Sequence, residues 1–222
     1  MRGLLSYERY EELKKLVVEM FEEAGVNCLP IDCFYIARKL KYVLRPYSKL
    51  DVDEYLDAMD QSVEGYSKVE MNPETGMYQY VIYYNDMNFD LNHQRFTIFH
   101  EIAHCYLGHH DEEENMWNAE IEEAEANFFA KYAMAPPPLI NHYRERICPA
   151  LIQERFQTSF EEAGYEYEYY QKWMEYGPRD YTAIEYHLLD MFAEWFEYEE
   201  TQEATLMSSL REDLQIGFAA GL

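Results

Sequence analysis

His100, Glu101 and His104 are the residues of this chain whose types and spacing best suit joint chemistry; they lie in the stretch Phe96-Thr97-Ile98-Phe99-His100-Glu101-Ile102-Ala103-His104. Residues four apart in an α-helix share a face, so the spacing predicts that both imidazoles point at one metal ion. Glu101 sits one position round from His100. From there its carboxylate reaches a water held at that metal, but it is poorly placed to ligate beside both rings. Two nitrogen ligands and one general base suit metal-assisted hydrolysis. Two hydrogen-bonded core histidines would give the same pentapeptide. However, Ile98, Phe99, Ile102, Ala103 and Leu107 supply the apolar faces of a buried helix. A buried helix that presents two His and a Glu needs a reason for holding those polar groups inside.

A catalytic zinc site wants three protein ligands and one open position. His110 lies ten residues after His100, the offset of the third ligand in the longer pattern His-Glu-x-x-His-x-x-Gly-x-x-His. That pattern needs glycine at 107 to turn the chain, whereas 107 is Leu and the glycine falls at 108. His109 and His110 are therefore expected just past the helix end, where histidine is favoured beside the last carbonyls. The other source is the acidic segment 118–134, NAEIEEAEANFFAKYAM, stopped by Pro136-Pro137-Pro138. Glu122, Glu123 and Glu125 all offer a carboxylate. Only Glu123 has Ala126 at i+3, allowing close helix approach, and Asn127 at i+4, placed to orient an imidazole through its other nitrogen. The expected ligand set is His100, His104 and Glu123, with Asn127 behind it; the remaining carboxylates read as a solvated face.

These residues resemble the ImmA/IrrE family of metallo-endopeptidases. The resemblance rests on two motifs in the right order: Arg95-Phe96-Thr97 through His100-Glu101-x-x-His104 to Leu107-Gly108-His109, then Glu123-x-x-Ala126-Asn127-x-Phe129-Ala130 and Met134-Ala135-Pro136. Phe99 stands where the family has a small residue, and Ala135 is inserted before the proline; neither is a proposed ligand. The resemblance covers about residues 25–175 and implies Glu123 as third ligand, as in gluzincins. It also implies a zincin-like core, and as substrate a helix-turn-helix repressor of a mobile element or stress regulon.

Net charge is −25 over 222 residues, which disfavours a direct nucleic-acid partner because phosphate binding needs Lys or Arg to displace counterions. No run of apolar residues is long enough to span a membrane, and the charged stretch Met1–Glu12 does not read as a signal peptide. The four cysteines Cys28, Cys33, Cys105 and Cys148 form no close pairs and read as reduced, mostly buried thiols of a cytoplasmic protein.

Along the chain, residues 6–24 read as an amphipathic helix stopped by Gly25, a second helix follows Pro30-Ile31-Asp32, and 41–47 reads as a strand. Asp51 to Gln61 is an expected helix with Asp51 and Glu54 as capping box. Tyr66–Met71 and Met77–Tyr84 form a hairpin around Asn72-Pro73-Glu74-Thr75-Gly76. With 41–47 it makes a three-stranded sheet whose edge suits strand addition by a peptide. Residues 139–146 and 150–176 are expected to be helical, and 182–200 to be the last strong helix. The fold class is α+β, mostly helical: a metallopeptidase unit at 1–138, a C-terminal helical region at 139–200 resembling a degenerate helix-turn-helix, and a loosely attached tail at 201–222. Between 151 and 180, seven acidic and three basic residues leave a net −4, so this region is expected to pack or recognise a partner rather than read DNA.

The expected function is a zinc-dependent endopeptidase in which Glu101 is the base, with Mn²⁺ or Fe²⁺ also suiting two His and a carboxylate. Tyr83, Tyr84, His109 and His142 are candidates to help polarise the scissile carbonyl. The competing reading is a scaffold that binds a transcriptional regulator without cutting it; an intact Glu101 argues against that.

Overall fold

Short polar side chains fix where several helices of this chain begin. The computed structural model describes residues 4–88, 90–110, 119–177 and 180–219, with side chains to residue 208. Ser6 caps α1 (Tyr7–Ala24) by accepting from the Arg9 amide, and Gly25, at φ 71°, closes it in the left-handed conformation. Asp32 caps α2 (Cys33–Lys39). Asp51 and Glu54 form a reciprocal capping box on α3 (Val52–Gln61), and Asp90 caps α4 (Leu91–Leu107). Beyond α4 follow α5 (Ala119–Met134), α6 (Pro137–His142), α7 (Pro149–Phe156), α8 (Phe160–Tyr176) and α9 (Ala183–Ala219).

The chain is mostly helical with one small sheet, an α+β fold. Strands β1 (Val43–Pro46), β2 (Gly65–Met71) and β3 (Tyr78–Tyr84) run in the order β1-β3-β2. β1 is parallel to β3, and β2 antiparallel to it with Ser67 opposite Ile82 and Gly65 opposite Tyr84. Period-two alternation sends the two faces of β3 into different cores. Ile82 joins the main core, while Val81 and Tyr83 pack with Tyr47 and Ala58 under α3. Ser67 shares the face of its partner Ile82, which is the face turned to α4.

The main core is built around α4 and α5. Ile98, Phe99, Ile102 and Ala103 meet Ala126, Phe129, Ala130 and Ala133, with Val17 and Phe21 of α1 closing the layer; all are fully buried. Alanines on α5 bring the two helix backbones close, as the sequence pattern anticipates. Phe192 of α9 packs edge-on against Phe21, with ring centroids 6.4 Å apart.

Four local expectations differ from the structure, the first being that α6 stops at His142, short of the expected 146. The helical segment 150–176 is broken at 157–159, because Gln157 adopts a left-handed backbone (φ 52°) and Ser159 opens a new capping box with Glu162. The expected tail continues α9 through residue 219 rather than separating from it at 200. Of the four free cysteines, Cys33 and Cys105 are buried but Cys28 and Cys148 are exposed, since both lie in connections rather than on core faces.

Glu166 of α8 is only 4% exposed, and burial pushes its carboxyl up to about 8. A folded-state value above the ordinary one means that the unfolded chain ionises first as pH rises. The stability associated with this group is thus fully present below about pH 4.5 and is lost as pH rises toward 8. Glu166→Gln removes the titration. Its stability advantage over the wild type should widen by on the order of 2 to 3 kcal/mol between about pH 5 and about pH 8, read from urea unfolding at each pH. A constant gap would contradict a buried neutral carboxyl.

Candidate metal centre

His100 and His104 rise from one face of α4, and their Nε2 atoms lie 3.1 Å apart. Glu123 faces them from α5, with Oε2 3.4 Å from His100 Nε2 and Oε1 3.4 Å from His104 Nε2. Among the described residues these form the one group of three His, Cys, Asp or Glu side chains whose donor atoms all lie within 4.8 Å of one another. Burial lowers the affinity of His100 for a proton. Burial and then the neighbouring rings of His100, His109 and His110 push His104 down to about 3. Both rings are therefore neutral near pH 7 and present lone pairs. Two such nitrogens and a carboxylate gathered this closely gain little from one another, but together they suit a cation. Ligands about 2.0–2.1 Å from a tetrahedral zinc lie roughly 3.3–3.4 Å from each other, so edges of 3.1, 3.4 and 3.4 Å fit a divalent ion. Glu123 is the exposed member, with 59% of its side chain accessible, and it marks the open side of the group.

Glu101 points to the sheet side of α4. Its Oε2 accepts from Ser67 Oγ at 2.6 Å, and the residue is 7% exposed. Burial pushes its carboxyl up to about 7, against the lowering effect of the Ser67 hydrogen bond. Ser67 Oγ also lies 3.0 Å from His110 Nε2. His110, weighed as a third ligand, is thus turned toward β2 and does not join the three converging groups. A cleft of about 550 Å³ opens over these residues, walled by Tyr66 and Phe96 as well as by the polar groups.

Gly108 ends α4 in the left-handed conformation at φ 76°, and the chain doubles back so that the His109 amide donates to the His104 carbonyl. This brings the His109 ring to His104, Nδ1 to Nδ1 at 2.9 Å. Glu125, one of the three carboxylates weighed as ligand, lies instead on the far side of His109, 3.3 Å from its Nε2, and is held by Arg9. Asn127, expected to orient an imidazole, donates instead to the main-chain carbonyl of Glu123 at 2.7 Å. At i+4 on the same helix, its own backbone is the nearer acceptor.

The suggested carbonyl-polarising residues are dispersed. Tyr83 hydroxyl accepts from Arg45 and donates to Glu70, on the opposite face from Ser67. Tyr84 packs on Phe34, and His142 stacks on Phe196 at 3.8 Å. None of these, nor His109, lines the cleft. Ser67, Arg9 and the bridging role of His109 escaped the sequence reading. Ser67 could have been suspected only from strand register, and Arg9 lies 116 residues from its partner, with no local signal at either end.

Residues 52–168 match the family model for the IrrE N-terminal-like domain, peptidase M78, and the chain belongs to that family. Among solved structures it is similar to a Mycobacterium tuberculosis transcriptional regulator, at 17% identity and a TM-score of 0.42, covering 71% of this chain and 47% of that one. The chain therefore spans less than half the length of that regulator. No curated protein sequence matches it. No helix among the described residues is long and apolar enough to cross a membrane.

The seat of β2 on α4 depends on Gly65. A Cβ there would fall 2.7 Å from Thr97 Cγ2 and 2.8 Å from the Tyr83 carbonyl. Gly65→Ala should cost about 1–3 kcal/mol in urea unfolding. Adding Thr97→Ser, which removes the offending methyl group, should restore part of it. An alanine variant as stable as the wild type would show that the strand approaches α4 less closely.

Proposed function

We propose that this protein is a metal-dependent endopeptidase in which His100, His104 and Glu123 hold a divalent ion, zinc being the first choice. The observation that supports this most is the convergence of two neutral imidazoles and a carboxylate within 3.4 Å of one another across α4 and α5. Membership of the peptidase M78 family agrees with it. A bound ion supplies Lewis acidity at that point, for a water and for a scissile carbonyl.

Glu101 is the general base in this reading. Its carboxyl is half-way between proton acceptor and donor near pH 7, the condition for taking a proton from the attacking water and passing it to the leaving amine. Ser67 fixes one carboxylate oxygen, leaving the other for the proton in flight. The edge strand β2 borders the cleft, so an extended peptide can pair with it while its carbonyl is presented above α4.

The substrate proposed is a helix-turn-helix transcriptional repressor, on the strength of the family, with residues 1–138 as catalytic unit and 139–200 available to recognise the partner. A net charge of −25 favours a protein rather than a nucleic-acid partner, and four free cysteines suit a cytoplasmic setting. Incubation with a purified helix-turn-helix repressor, with and without a chelator, tests the reading. Fragments only in the metal-replete reaction support it, whereas a stable complex without fragments makes the protein a sequestering scaffold.

Glu101→Gln should keep one equivalent of metal and lose cleavage by roughly 10²-fold or more; retained cleavage would remove Glu101 from the base role. Glu123→Ala should lose metal in elemental analysis of the purified protein, while His110→Ala keeps it. The reverse result would make His110 the third ligand.

A further inference from the structure

A line of buried polar groups leads away from the metal centre and ends on a helix outside the family match. His104 Nε2 faces Glu123, so its other nitrogen, Nδ1, is turned outward and meets His109 Nδ1 at 2.9 Å. His109 Nε2 lies 3.3 Å from Glu125 Oε2. Glu125 is gripped on both oxygens by Arg9, Nε to Oε1 at 2.6 Å and Nη2 to Oε2 at 2.7 Å. The side chains of His109 and Glu125 are 8% and 9% exposed, so the groups have little water to turn to. Arg9 belongs to the first turn of α1, whereas the family match begins at residue 52.

With both rings neutral, as metal ligation of His104 requires, donor and acceptor counting gives the chain one consistent assignment. A carboxylate clamped by a guanidinium accepts only, so His109 carries its proton on Nε2 and donates it to Glu125. His109 Nδ1 is then a bare acceptor. The proton on His104 must sit on Nδ1 to meet it, which leaves His104 Nε2 as a lone pair aimed at Glu123 and His100. Each link forces the next, from a guanidinium that never loses its charge to the nitrogen of the site. His100 has no such support: its Nδ1 is buried and has no hydrogen-bond partner among the described residues. Of the two imidazoles, only His104 is fixed in tautomer and ring orientation by hydrogen bonding.

We propose that Arg9, Glu125 and His109 are positioning residues for metal binding, locking His104 in the tautomer that offers Nε2 to the ion and coupling α1 to the site. This rests on the reading of His104 as a ligand. An ion pair whose only task was to tie α1 to α5 would stabilise the fold equally well without His109 wedged between Glu125 and His104. Hydrogen-bond partners behind a ligating histidine are worth about 10–100-fold in metal affinity.

The test uses the full chain, stripped with a chelator and titrated with Zn²⁺ against a chromophoric competitor, with circular dichroism confirming that each variant is folded. Glu125→Gln and His109→Ala should each weaken Zn²⁺ binding by about 10–100-fold. Combining them should lose no more than His109→Ala alone, because the links act in series. His109→Gln, whose amide oxygen can still accept from His104, should recover part of the loss. Loaded with Co²⁺, Glu125→Gln should show shifted visible ligand-field bands, a signature that general destabilisation would not move. Wild-type affinity and an unshifted Co²⁺ spectrum in folded His109→Ala and Glu125→Gln would overturn the proposal while leaving the metal centre standing. If Glu125→Gln fails to fold, His109→Ala and Arg9→Met, expected to weaken binding in the same direction, decide the matter. A wild-type protein that binds neither ion would overturn the metal centre and this inference together.

Discussion

A helix that takes two imidazoles and a carboxylate out of water must find partners for all of them. On α4 this requirement organises everything around it. His100 and His104 can share an ion only if a third group comes from outside the helix, so α5 must lie close enough to deliver Glu123. The alanines at 126, 130 and 133, all fully buried, make that approach possible. Glu101, on the neighbouring face, needs a hydroxyl from the sheet, so β2 must lie against α4, and the absence of a side chain at Gly65 permits it. The two close approaches set the walls of the cleft. Packing and chemistry are here one constraint seen from two sides: the small residues exist where polar groups have to meet.

Much of this was legible because the signals are local. The His-Glu-x-x-His spacing, the Asp51–Glu54 capping box, the Asn72–Gly76 turn and the glycine after α1 each encode a geometry within a few residues, and each appears where the pattern places it. Glu123 was singled out from three carboxylates by its small neighbour at i+3, and it is the one that faces the imidazoles. The companion inference about Asn127 did not carry over. A short amide on a helix finds its own backbone before it finds a ring across the gap.

What could not be read is what depends on distant pairing. Glu125 looks like one more acid in a run of acids until Arg9 appears beside it, and Arg9 looks like one surface charge among several on α1. Ser67 is an ordinary strand serine until register sets it opposite Ile82 and so turns it toward α4. The break between α7 and α8 hinges on a left-handed Gln157, a conformation that no glycine announces. Past residue 200 the expected tail instead continues α9, although Leu206 and Met207 there are exposed and add nothing to the core.

The turn at Gly108 has a bearing on how this protein can vary. It stops a helix and, four residues after His104, throws the chain back along its own axis so that the next ring lands beside the second imidazole. A helix advances by about 100° per residue. One residue more or fewer between His104 and the glycine would swing the following ring to another side of the molecule, away from Glu125. Within this pentad, length is therefore as tightly specified as identity. Natural relatives and engineered versions alike should admit substitutions at Cys105 or Tyr106 far more readily than any insertion or deletion there.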